Sequence, residues 1–286
     1  MSVVGWIAMS AIVTAVVAAL VGSLLVVGGR SMVGEGLSHA VLPGIVGGYL
    51  ITGDPSSPWL VLTAAAAGLL MVWVVERLAR GGRVDEDAAL GIVFSAMFAA
   101  GVLMVAWAGR SSALDADCVI DGNLALASLD RADVFGVEVP RSVVLLTVLG
   151  CVALLTLAVG YKEYQLSLFD PVLSRRLKRR PDRWQRWWLM LTALVTVAAF
   201  QSAGSVVIVA LMTAPGATAR LLTRNLGTLI AVAVMVAIAA AAAGTAWGLA
   251  ADVTPSGPIA LVSGLIFVGV WSLQPVARRW RRSAAA

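Results

Sequence analysis

Long apolar runs separated by short polar or turn-rich links organise this chain from end to end. Reading those runs gives nine predicted spans, at about 4–28, 35–51, 59–79, 88–108, 142–160, 187–201, 205–222, 226–250 and 258–275. Several links are turn material, namely GDPSSP at 53–58, RGGRVDED at 80–87, QSAGS at 201–205 and DVTPSGP at 252–258. The sixth and seventh runs are separated by so little that they also read as one long, broken segment. The first run lacks a basic leader and is too long for a signal-peptide core, so it is expected to stay as the first span.

Composition turns these runs into membrane spans. Hydrophobic residues make up 60% of the 286 positions and charged residues only 13%, against about 25% charged in a soluble domain. A water-soluble enzyme is thereby excluded. Nine spans of roughly 20 residues leave only short loops, so the expected fold is an all-α polytopic membrane protein formed by one transmembrane domain over 1–286.

Charge supplies the orientation. The net charge of +5 would suggest nucleic acid in a soluble protein, but basic residues of a multispanning protein gather in its cytoplasmic loops. With the N-terminus outside, 18 of the 21 Lys and Arg fall inside, leaving only Arg110, Arg131 and Arg141 outside. The expectation is N-out, C-in, with an odd number of spans, in the plasma membrane and without nucleic acid as a partner. The tryptophans near span ends, among them Trp6, Trp59, Trp107, Trp184, Trp187, Trp188 and Trp247, read as interfacial anchors. Residues 109–141 form the one sizeable outer segment; they are net acidic, as suits the side from which a cation arrives, or an ordinary solvated loop. Gly44 with Gly48, and the run AIAAAAAG at 237–244, are expected to let helices pack closely.

Candidate chemistry concentrates in RSMVGEGLSHAVLPGIVGGYLI at 30–51, which places Glu35 and the only histidine, His39, at the start of an apolar span. Their i, i+4 spacing puts carboxylate and imidazole on one helical face. Ionisable groups inside a membrane are costly and mark functional sites by default, and this pair suits first-row divalent metals. A structural Glu–His hydrogen bond between helices is the competing reading. Pro43 has no N–H for the carbonyl of His39 and so leaves a backbone acceptor near the pair. Ser38 next to His39 is a poor hydrolase pair, since adjacent helical residues point about 100° apart and no GxSxG elbow is present. A P-loop is also absent, so any ATP-driven process needs a partner.

Five segments, in order, carry a family resemblance: GEGLSHAVLPGIVGGYL at 34–50, LGIVFSAMFAAGVLM at 90–104, LDADCVIDGNLALAS at 114–128, YKEYQLSLFDPVLSRRL at 161–177 and VVIVALMTAPGATARLLT at 206–223. In these the chain resembles the permease subunits of ATP-binding-cassette importers for manganese, zinc and iron. The resemblance implies a transport subunit without catalysis or permanent cofactor, moving a divalent cation by alternating access with Glu35 and His39 as the transient metal site. It also implies three kinds of partner: ATP-binding-cassette ATPase subunits, an extracytoplasmic metal-binding protein, and a second permease copy or paralogue. The family commonly has aspartate where Glu35 stands, and histidine or cysteine where Cys118 stands; whether Cys118 handles metal stays open.

The same resemblance makes 161–186 a cytoplasmic coupling segment that docks on the ATPase. Phe169, Asp170 and Pro171 are expected to start a short helix there, with Asp170 as cap and Pro171 in its first turn. One histidine, one carboxylate and a backbone acceptor favour Mn²⁺ as cargo, ahead of Zn²⁺ and Fe²⁺. Two alternatives are an ion-coupled secondary metal transporter and an importer of cobalamin or siderophore type. The former has no use for a docking helix, the latter none for a Glu–His pair.

Overall fold

A backbone in lipid must satisfy its own N–H and C=O groups, and an uncharged apolar run does so by coiling into a helix. In the computed structural model, which describes residues 3–53, 57, 59–82, 84–108, 131–134, 137–169, 181–223 and 225–283, the apolar runs are helical. They are α1 (Val3–Val27), α2 (Met32–Ala40), α3 (Leu42–Thr52), α4 (Trp59–Ala79), α5 (Glu86–Ala108), α6 (Arg141–Phe169), α7 (Pro181–Ala203), α8 (Ser205–Leu222), α9 (Leu226–Ala250) and α10 (Ser256–Ser283). Seven of them, α1, α4, α5, α6, α8, α9 and α10, are long and apolar enough to cross a membrane.

Three predicted spans, 59–79, 205–222 and 226–250, coincide with α4, α8 and α9. Others run past the apolar boundary: α6 continues to Phe169, α7 begins at Pro181, and α10 continues to Ser283. Helical hydrogen bonding does not stop where hydrophobicity does. The second span is two helices rather than one, interrupted at Val41, with Pro43 in the first turn of α3. Val41 itself keeps right-handed helical angles (φ −72°, ψ −25°), so the two pieces meet as a disturbance in the hydrogen-bond ladder rather than a corner. The sixth and seventh runs are distinct helices, parted at Gly204, whose φ of 81° and ψ of 168° belong to a region open essentially to glycine alone.

All-α is corrected by one small sheet. Arg131–Val134 (β1) and Val137–Pro140 (β2) pair antiparallel, with Arg131 opposite Pro140. The alternation in RADV and VEVP is too short to stand out beside the charge of that segment.

Helix α1 is the centre. It carries no charge and is apolar on every side, the signature of a buried helix, and 78% of its most apolar stretch is buried against 11% in α10. It packs on α6, α7, α8 and α9, while α10 covers α8 and α9 from outside. Small residues set the spacing: a Cβ on Gly22 would lie 2.6 Å from Met212 Cα of α8, and one on Gly44 2.7 Å from Ala64 Cα of α4. Gly48 meets Leu60 and Thr63 of α4, and Gly244 meets Ile259 of α10, as the small-residue pattern leads one to expect.

Of the tryptophans, Trp59, Trp107, Trp187 and Trp247 are exposed, as anchors should be, but Trp6 and Trp188 are buried. Trp188 donates its Nε1–H to the Val21 carbonyl of α1 at 3.1 Å and meets the Tyr164 ring edge-on at 5.1 Å. It belongs to the core.

Candidate functional site

The site is built on α2, nine residues long and enclosed by α4, α5, α7 and α8. Its small residues permit this. A Cβ on Gly34 would meet Met212 Sδ of α8 at 3.2 Å, and one on Gly36 would meet Met71 of α4 at 2.7 Å and Leu90 of α5 at 3.2 Å. Val33, Leu37 and Ala40 are buried among these neighbours, and Ser38 donates its hydroxyl to the Gly34 carbonyl at 2.9 Å. That bond turns Ser38 back on its own helix, which agrees with setting the hydrolase reading aside.

Glu35 and His39 are therefore the polar side chains that α2 carries beyond its own backbone, and both are half-buried. The His39 imidazole lies against two rings of α5: edge-on to Phe98 at 5.2 Å between centroids with an interplanar angle of 73°, and tilted by 32° to Phe94 at 6.2 Å. At the following break, the Val41 amide donates to the Leu37 carbonyl at 3.3 Å and is shared with that of His39. The carbonyl that Pro43 cannot serve is thus partly engaged rather than wholly free.

One carboxylate and one imidazole make two donors, fewer than the four to six a divalent metal takes. Among the described residues no cluster of three or more His, Cys, Asp or Glu is close enough to hold a metal ion. Cys118 lies outside the described residues. Chemically, the pair can take a cation and leave its remaining positions to water, to backbone oxygen or to another chain.

Two further features gather where α1 ends. Arg30, in the link to α2, pairs with Glu86 at the start of α5 at 2.8 Å, and Arg220 of α8 donates to the Val26 carbonyl at 3.0 Å. Beside them a cavity of about 240 Å³ lies between α1, α6 and α7, lined by Leu24, Arg30, Tyr164, Ser167, Gln185 and Trp188 among others. Tyr164, buried, donates to the Trp184 carbonyl at 3.3 Å.

Phe169 lies at the end of the described part of α6 and is 51% exposed; the short helix expected to start there falls outside the described residues. Asp170 and Pro171 lie outside the described residues. The sequence reading missed Phe94 and Phe98, although their own i, i+4 spacing on the fourth span was a usable signal. It also missed the Arg30–Glu86 pair, whose members stand 56 positions apart and which no local pattern reveals.

Comparison with known proteins gives a consistent result. A family model described as the ABC 3 transport family matches residues 2–274. The chain is 31% identical over 276 residues to the manganese transport system membrane protein MntD of Bacillus subtilis, covering 96% of this chain and 93% of that one. It is 36% identical over 265 residues to the zinc transport system membrane protein TroD of Treponema pallidum, covering 93% and 72%. Among solved structures, PsaBC from Streptococcus pneumoniae in complex with Fab matches with a TM-score of 0.77 at 25% identity, over 95% of this chain and 91% of that one.

Proposed function

This chain belongs to the ABC 3 transport family, and from that premise we propose that it is the permease subunit of an ATP-driven importer of divalent transition-metal ions, with Glu35 and His39 as the transient metal site. Membership makes it a multi-pass plasma-membrane protein and a transport subunit, ATP hydrolysis belonging to the partner ATPase. It also sets aside the ion-coupled secondary transporter.

The observation that carries the metal site is the position of Glu35 and His39. Both are half-buried on a short helix that four others surround, and a membrane protein keeps ionisable groups at such depth where they face a pathway or partner. Imidazole nitrogen with carboxylate oxygen suits a small first-row cation and gives a bulky chelate nothing to hold. Relatives carry names for manganese, zinc and chelated iron. A single nitrogen with oxygen donors favours Mn²⁺ over Zn²⁺, which prefers a closed tetrahedral set, and Fe²⁺ comes third.

Transport follows by alternating access in a single permease domain over 1–286. A cation delivered by an extracytoplasmic binding protein loses part of its water, Glu35 and His39 hold it, and motion transmitted through the coupling segment 161–186 opens the inner side. A second permease copy or paralogue supplies the missing donors or the opposite wall. The proposed arrangement has nine crossings: α2 and α3 together cover 32–52, about 31 Å of helix at 1.5 Å per residue, enough for the ~30 Å core. With α7 and the seven long helices they make an odd number, as the N-out, C-in charge asymmetry requires.

The test is ⁵⁴Mn²⁺ uptake in cells carrying Glu35→Ala or His39→Ala. Loss of uptake at unchanged membrane abundance is expected. Normal uptake by both variants would remove the site.

A further inference from the structure

We propose that Phe94 and Phe98 are positioning residues of the cation site: their rings orient the His39 imidazole and form a dry wall that selects cations able to exchange water for nitrogen. This rests on Glu35 and His39 being that site and says how it discriminates.

The placement begins with spacing. Phe94 and Phe98 stand one helical turn apart on α5, as Glu35 and His39 do on α2, and the two helices pack together through Gly36, whose missing Cβ leaves room for Leu90. The outcome is an imidazole flanked on the α5 side by two phenyl rings, edge-on to Phe98 at 5.2 Å and tilted against Phe94 at 6.2 Å. Edge-to-face geometry is a favoured one for aromatic pairs. It matters because the terminal torsion of histidine is otherwise broad. A metal-binding histidine is usually held by a hydrogen bond from its second ring nitrogen to a carboxylate or carbonyl; on this flank, ring packing restricts the imidazole instead.

A phenyl ring neither ligates a cation nor accepts hydrogen bonds from its hydration shell as water does. Any cation reaching His39 therefore sheds water on the α5 side. Mn²⁺, Zn²⁺ and Fe²⁺ gain an imidazole nitrogen in return, for which their affinity is appreciable. Mg²⁺ prefers oxygen ligands and dehydrates reluctantly, so the wall acts against an abundant competitor that carries the same charge. Charge alone, from Glu35, would not separate them.

The experiment measures ⁵⁴Mn²⁺ uptake by the complete transporter with Phe94→Leu, Phe98→Leu and Phe98→Tyr, over a range of Mn²⁺ and with excess Mg²⁺ as competitor. Leucine keeps an apolar side chain without the ring, and tyrosine keeps the ring. The expected result for Phe98→Leu is a KM for Mn²⁺ raised on the order of tenfold, as for loss of an orienting partner of a metal ligand. Maximal rate should be retained, and Mg²⁺ should now inhibit; Phe98→Tyr should stay near wild type in both. If Phe98→Leu lowers membrane abundance, equilibrium ⁵⁴Mn²⁺ binding with and without Mg²⁺ on purified complex carrying Phe94→Leu decides instead. Unchanged KM and Mg²⁺ sensitivity in the leucine variants, with uptake abolished by His39→Ala, overturns the aromatic wall and leaves the site standing. Normal uptake by both His39→Ala and Glu35→Ala overturns the site itself.

Discussion

Arg30 donates a guanidinium N–H to Glu86 at 2.8 Å, tying the link between α1 and α2 to the first residue of α5. The two side chains are 30% and 37% exposed, so the pair is a weak tie, of the kind that contributes about 0–1 kcal/mol. Gly29, at φ 74° with open space around it, precedes Arg30 and gives the link its turn. The tie joins the approach to α2 with the start of α5, the two helices that bring His39 to Phe94 and Phe98.

Removing it should be mild for the fold. Arg30→Ala or Glu86→Ala is expected to lower the unfolding free energy of the purified complex by no more than ~1 kcal/mol, and the loss should shrink at high salt. Thermal unfolding with and without 0.5–1 M salt, on the order of the concentration that screens surface pairs, checks this. A drop of several kcal/mol would mean that the pair is buried in the assembled transporter.

Close packing predicts a sharper effect at Gly22. Any Cβ there runs into the backbone of Met212, so Gly22→Val must part α1 from α8 at the centre of the bundle. Overpacking typically costs about 1–3 kcal/mol, and this site, pressed against backbone, belongs at the upper end. Gly264→Ala on α10 meets nothing within 4 Å and should be neutral. Membrane abundance and melting temperature of the two variants make the comparison.

Topology is tested by reporters. A fusion after Ala286 should report the cytoplasm and an insertion near Asp130 the outside, since the nine-span reading of the sequence puts 18 of the 21 basic residues on the inner side. The same side for both would break the nine-crossing arrangement.

Coupling is tested at Phe169. Phe169 is 51% exposed at the end of the described part of α6, and the proposed coupling makes it an apolar anchor on the ATPase. Phe169→Ala removes an anchor of a type that contributes ~2 kcal/mol or more when buried at an interface. ATPase association or transport-coupled hydrolysis should weaken while the melting temperature holds. Unchanged coupling would take Phe169 out of the contact.

Much of this protein was legible in one dimension. A chain in lipid has few options, so uncharged runs had to be helices, and three spans were placed to the residue because Gly, Pro and polar clusters mark their ends. Glu35 and His39 stood out as candidates for the same reason: an ionisable pair in an apolar run is costly. Local chemistry could not say where a helix stops after it leaves the apolar layer, as α6 and α10 show, since backbone hydrogen bonds continue through Lys162 and Glu163 as readily as through leucine. Nor could it separate tryptophans at span ends: Trp188 is buried because α1 offers it the Val21 carbonyl, whereas Trp187, one residue earlier and turned about 100° around the helix, is exposed. Only the tertiary structure decided what meets what. Phe94 and Phe98 reach His39, and Arg30 reaches Glu86, because α2 is short and glycine-rich enough to sink among four helices, a property of packing between segments far apart in sequence.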